Sequence, residues 1–236
     1  MKWPNFFRRT RANSDLIDRY KHWRQVAREL NLRLIKQLPK VAVPECGKKL
    51  GIVKAGTLVL SNDDEIAVVY DYCLHHYRRG NKTVIERYLE QTPPEPDSDE
   101  MTLLEAMSAS HASAFRIAEI TPRSGAVLED LGYGDRIEVT DLALAETGIA
   151  GTVVVGRILK LPELQMSSGT LIPMPEAAFE QSVVPLIGKF MPTSGDGTRP
   201  TLSAAQNAAF TALLLRIALH AGGEDNVFYT DMEPGQ

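Results

Sequence analysis

Apolar residues recur at steps of four and three from Leu16 through Tyr20, Trp23, Ala27, Leu30, Leu34 and Leu38. That stripe predicts one amphipathic helix of about six turns, with Ser14 as cap, Asp15 in its first turn and Pro39 as its stop. Residues 41–57 hold Pro44, Gly47, Gly51 and Gly56 and read as a connection, with a short strand or turn at 58–60. Ser61 followed by Asn62, Asp63, Asp64 and Glu65 predicts a second helix, running to about Arg79 with Ile66, Tyr70, Cys73 and Tyr77 inward and Gly80-Asn81 as its end. Thr83 opens a short helix through Leu89, the stretch 91–99 breaks the pattern, and 100–108 reads as a further brief helix.

The period then changes from 3.6 to 2. Phe115 and Ile117 alternate with Arg116 and Ala118, and Ile137 and Val139 alternate with Arg136, Glu138 and Thr140, as in strands with one wet face. Val153, Val154 and Val155 are continuous, which predicts a strand covered on both sides or a bulge near Gly156. With 126–131 and 164–172 added, about five strands separated by turn signals predict a small antiparallel, barrel-like unit. Beyond it, 175–190 reads as a helix kinked or ended by Pro185 and Gly188, 191–200 as a loop, and Thr201 or Ser203 opens a last, alanine-rich helix that Gly222-Gly223 stops. Val227, Phe228 and Tyr229 in the acidic tail are able to tuck back onto the body. The expected fold class is α+β: N-terminal helices, the β-barrel-like unit and C-terminal helices. The expected organisation is a helical region over 1–92, a linker with a short helix over 93–112, the β unit over 113–174 and a helical region over 175–236.

Composition narrows the function classes. Cys46 and Cys73 are the only cysteines, too few and too isolated for a disulfide framework or a paired-cysteine zinc site, so a reducing cytoplasm is the expected compartment. No apolar run reaches the roughly 18 residues of a membrane span, and residues 1–11 lack the pattern of a secretory signal. Charge is polarised: residues 1–40 hold 11 Lys or Arg against Asp15, Asp18 and Glu29, and the rest holds 15 basic against 27 acidic residues. Arg8, Arg9, Arg11, Lys21, Arg24 and Arg28 make the best basic patch, a candidate surface for nucleic acid or a protein partner. The plainer reading, and the one preferred, is a basic helix lying against the protein's own acidic surface or against a second copy of itself.

Chemistry has one candidate place. Asp71 and His75 are four residues apart and share a helix face, with His76 beside them, so a carboxylate could orient an imidazole. That face is expected to lie opposite the inward side and to meet solvent. No His-Glu-x-x-His spacing is present, the 191–200 loop lacks the Gly-Lys-Ser/Thr of a P-loop, and Gly132-Tyr133-Gly134 lacks the third glycine of a dinucleotide turn. No metal or cofactor is therefore expected. His22, His111 and His220 stand alone.

Two blocks carry a resemblance. The first is 56–65 with Tyr70-Asp71-Tyr72-Cys73 and 85–89; the second is Phe115-Arg116-Ile117 with 125–131. They resemble uncharacterised bacterial proteins that often end in a zinc-binding motif like that at the SecA C-terminus. The resemblance implies helices followed by a β unit over about residues 30–174; it implies no catalytic residue, and no zinc site either, because the C-terminal region here has no cysteine. The expected function is a non-enzymatic binding or adaptor protein that engages a protein partner or nucleic acid, with homo-oligomerisation left open; the alternative is a hydrolase using Asp71 with His75 or His76.

Overall fold

The computed structural model describes residues 5–54, 57–58, 63–193, 199–221 and 228–229, with side chains described for 14–53, 57–58, 65–193 and 199–221. Helix α1 (Asn5–Lys36) begins nine residues before the expected Ser14 cap, since nothing in 5–13 breaks a helix. The predicted stripe holds: Tyr20, Trp23, Ala27, Leu30 and Leu34 are buried. The expected connection after it is mostly helix α2 (Ala42–Leu50), because Pro44 falls in the first turn, where a missing N–H is harmless. Strands β1 (Val53–Lys54) and β2 (Thr57–Leu58) form a small hairpin, and α3 (Asp63–His76) follows. Ser61 and Asn62, its expected opening, lie outside the described residues. Helix α4 (Val84–Gln91) starts on a full capping box between Thr83 and Glu86, as its sequence predicts, and α5 (Asp99–Ala109) is capped by Ser98.

Strands β3 (Ala112–Thr121), β4 (Gly125–Asp130), β5 (Arg136–Thr140), β6 (Val153–Lys160) and β7 (Gln165–Met174) form the expected antiparallel sheet in the order β5-β4-β3-β6-β7, with the two-residue β8 (Phe228–Tyr229) added beyond β7. A short helix, α6 (Leu142–Thr147), caps the β5 end on Asp141. The sheet curls without closing into a barrel. Its seam is held by a polar latch in place of a ladder: the Ser167 hydroxyl on β7 donates to Asp141 Oδ2 at 2.8 Å, Leu144 N–H donates to Oδ1 at 3.0 Å, and Arg24 from α1 donates to the Ser167 carbonyl at 2.8 Å.

The curl explains the continuous valines. Val154 and Ile158 point into the sheet's concave core with Phe115, Ile117 and Leu128, while Val153 and Val155 point the other way into a core shared with α2, α3 and α9. Leu159, Leu161, Leu164 and Met166 join a third cluster with α1, α4 and α5. The chain then passes through α7 (Glu176–Ala178), a π-turn (Phe179–Val183) and α8 (Val184–Phe190) to α9 (Ala204–Ala221), which opens on a reciprocal Ser203–Gln206 cap. The irregularity expected at Pro185 is that π-turn, which lies just before a residue with no N–H to give.

Candidate functional site

Helix α3 is apolar almost all round between Ile66 and Leu74, and a helix of that kind belongs inside. Val68, Val69, Tyr72 and Cys73 face one core and Leu74 another. Of the expected inward set, Cys73 is buried and Tyr77 packs against the first core, while Ile66 and Tyr70 are only partly buried; the expected exposure of the polar cluster is corrected. The Asp71 side chain is 16 % accessible, that of His75 is 6 %, and His76 is 7 % exposed. A charge buried so deeply needs a partner. It comes from Arg157 on β6, which continues the Val153 and Val155 face toward α3 and is 1 % exposed.

Arg157 makes four hydrogen-bond contacts. Its Nε donates to Asp71 Oδ2 at 3.3 Å, Nη1 to the Ser110 carbonyl and hydroxyl at 3.1 and 3.3 Å, and Nη2 lies 3.3 Å from His76 Nε2. Burial, and secondarily the Arg157 charge, hold the pKa of His75 well below the ordinary imidazole value. The same two causes depress His76, with His75 adding to the effect and Asp71 opposing it. Both rings are therefore neutral near pH 7. The 3.9 Å between His75 Nε2 and Asp71 Oδ1 is too long for a hydrogen bond, and a neutral ring makes no ion pair.

Opposite Arg157 the sheet is interrupted. Gly156 pairs with Leu171 and Ile158 with Ser167, so one residue of β6 faces Ser168, Gly169 and Thr170 of β7. Glycine is required on both strands. A Cβ on Gly156 would lie 2.5 Å from the Thr170 carbonyl oxygen, and Gly169 has φ +130°. The bulge throws Ser168 to Thr170 away from the ladder and toward α1 and α3. There they close a cavity of about 220 Å³ with Asn31 of α1, Asp71 and His75 of α3, and apolar walls that include Ala27, Ala67 and Leu159. Asn31 Oδ1 and Ser168 Oγ, on two of the residues that line it, are both buried with no hydrogen-bond partner.

The basic residues of α1 divide. Arg24 is withdrawn from the expected surface patch: it is 6 % exposed and donates into the sheet seam. Lys21 and Arg28 are exposed, and the side chains of Arg8, Arg9 and Arg11 lie outside the described set, although their backbone is part of α1. Further along, Arg19 lies 3.9 Å from Glu163, His22 lies 2.7 Å from Asp99, and Arg33 pairs with Glu100 at 2.5 Å. Much of the helix's positive charge thus faces the protein's own acids. Among the described residues no group of three or more His, Cys, Asp or Glu is placed to hold a metal, and no helix is long and apolar enough to cross a membrane.

Sequence reasoning found Asp71, His75 and His76 but missed Arg157, Asn31 and Ser168. A lone arginine inside Val153–Lys160, an otherwise apolar strand, is the readable sign of a buried ion pair. Nothing local marks Asn31 or Ser168, whose character depends on what the fold leaves unpaired.

A family described as a family of unknown function, DUF7986, matches residues 14–184, and the chain belongs to it. The match spans α1 through the sheet and the π-turn, and gives no support to a kinship with chains that end in a SecA-like zinc motif. No curated protein and no solved structure matches the chain.

Proposed function

We propose that this member of the DUF7986 family binds a small molecule in the cavity between α1, α3 and the β7 bulge. The observation that carries the reading is the cavity itself, a concave and largely apolar space of about 220 Å³ with Asp71 and His75 on its wall, beside which Asn31 Oδ1 and Ser168 Oγ are buried without a hydrogen-bond partner. A buried polar atom without a partner costs about 1–3 kcal/mol, and folds rarely tolerate two at one place unless something else supplies the bonds. Few convergent polar groups on apolar walls is the common build of a ligand site. The bulge fits the same reading, since it gives up ladder pairing to point three consecutive residues at the cavity.

Hydrolysis is the second reading, favoured by the placement of Ser168, His75 and Asp71 around one space. It is the weaker of the two. A general base works best with a pKa near the working pH, and burial beside Arg157 drives His75 far below it. Asp71 also stands too far from His75 to orient it by a hydrogen bond.

A plugged variant tests the binding reading. Fragments found by ligand-observed NMR on the parent protein should lose their signal in Ala67→Phe, whose ring would occupy the cavity, while the variant keeps its cooperative melt. Binding that survives the plug would overturn the reading. Hydrolysis of a generic aryl ester that disappears in Ser168→Ala would replace it with the second.

A further inference from the structure

We infer that Cys46 of α2 and Cys73 of α3 form an oxidative modification site, two thiols that a hydroperoxide joins into a reversible disulfide across the two helices. The site is independent of the cavity, which neither residue lines.

The fold brings together two residues that stand far apart in the chain. Cys46 and Cys73 are its only cysteines, and both are free and fully buried in the core cluster where α2 and α3 meet. Cys73 Sγ lies 3.7 Å from the carbonyl oxygen of Ala42, one helical turn ahead of Cys46, and the two thiols share a hydrogen bond. Cysteines that serve only as small apolar filler need no such contact.

That contact makes the two sulfurs unlike. The bond from Cys73 holds the Cys46 thiol below its ordinary value against burial, with the Lys49 charge assisting. The same bond, and burial after it, push the Cys73 thiol up. Cys46 is thus the attacking sulfur and Cys73 the resolving one. The Cys46 thiolate takes one oxygen of the hydroperoxide, the O–O bond breaks, and the departing oxygen receives the proton that the thiol gave up. Cys46 is then a sulfenic acid. Cys73 attacks its sulfur, the S–O bond breaks, and the hydroxyl leaves as water with the Cys73 proton; two thiols are oxidised and one peroxide is reduced. Access comes through α2, which is nine residues long and starts at Val41 without a side-chain cap, the kind of element that opens locally. The link fastens α2 to α3, the helix that carries Asp71 and His75.

Peptide mapping tests the site on the full chain, purified reduced, freed of reductant and treated with hydrogen peroxide under native conditions. Expected are a cross-linked peptide pair carrying Cys46 and Cys73, an intact mass lower by two hydrogens, a higher melting midpoint because the link restricts the unfolded chain, and full reversal by dithiothreitol. In Cys73→Ala, dimedone should tag Cys46 as the trapped sulfenic acid, whereas in Cys46→Ala it should leave Cys73 untagged. If neither variant folds, the map of the parent decides alone. Both cysteines recovered as free thiols from folded, peroxide-treated protein would overturn the site and leave the pair as core filler. Linkage only in urea, linkage only between two chains, or sulfinic acid without linkage would overturn it equally. A tag on Cys73 and none on Cys46 would overturn the assigned order of attack.

Discussion

Two buried polar sites hang on neighbouring residues of one strand, and they are built on opposite terms. At the seam of the sheet, Ser167 gives its hydroxyl to Asp141 and its carbonyl to Arg24, and Asp141 also receives Leu144 N–H. At the bulge, one residue on, Ser168 Oγ has no partner, and neither has Oδ1 of Asn31, two turns along the helix from Arg24 and part of the lining of the same cavity. The first site is complete. It replaces the ladder that would have closed the barrel and ties α1 to both edges of the sheet. The second leaves two polar atoms without partners. A buried polar atom whose bonds are not met within the chain calls for a bond from elsewhere, be it water, an ion or a ligand.

The sharpest way to break this comparison is to remove what stands behind the cavity. Arg157→Met leaves Asp71 buried without its cation, and breaking a buried pair from one side costs about 3–5 kcal/mol. Urea unfolding should show a loss of that size, and Asp71→Asn added to Arg157→Met should recover part of it because no lone charge then remains. A loss under about 1 kcal/mol would show that the pair does not hold α3 against the sheet.

Acid acts on the same wall with a somewhat smaller effect. His75 and His76 have folded pKa values below the ordinary imidazole range, so their contribution is fully present above about pH 6.5. As the pH falls below that value the unfolded chain takes up protons that the folded one refuses, and stability declines by about 1.4 kcal/mol per pH unit for each histidine. Unfolding between pH 7.5 and 5 should show the decline in the parent, and a His76→Gln variant that retains its fold should show about half the slope. A flat profile would mean that the two rings are not buried neutral beside Arg157.

The two sites also differ in how far the sequence exposed them. Period-2 alternation placed β3 and β5, turn signals placed β4 and β7, and the continuous Val153 to Val155 offered two-sided burial or a bulge near Gly156, of which β6 has both. The short helices α2 and α6 were hidden, one behind Pro44 and the other because six residues give too little periodicity to read. On α3 the continuous run from Ile66 to Leu74 is better evidence of full burial than the choice of one inward face, and it is that choice that turns Asp71 and His75, on the opposite face, toward solvent. That partner lies 86 residues away in Arg157. Ser167 and Ser168 cannot be told apart from sequence, since both are serines in a strand, and only the bulge decides which one meets Asp141.

That pair supplies the finest test. Ser167→Ala takes a hydroxyl from a carboxylate that burial already pushes toward the protonated form, and losing a hydrogen bond to a charged group costs about 1.5–3 kcal/mol. Ser168→Ala removes an oxygen that has no partner, so the unliganded protein should stay within about 0.5 kcal/mol of the parent or gain slightly. Two identical substitutions at adjacent positions should therefore separate by more than 1 kcal/mol in urea unfolding. They should also separate in the reverse order in ligand affinity, Ser167→Ala binding the fragments found on the parent as the parent does and Ser168→Ala, on the cavity's lining, binding them more weakly. Equal destabilisation by the two would mean that Ser168 is already satisfied within the fold, and the difference between a latch and a binding wall would vanish with it.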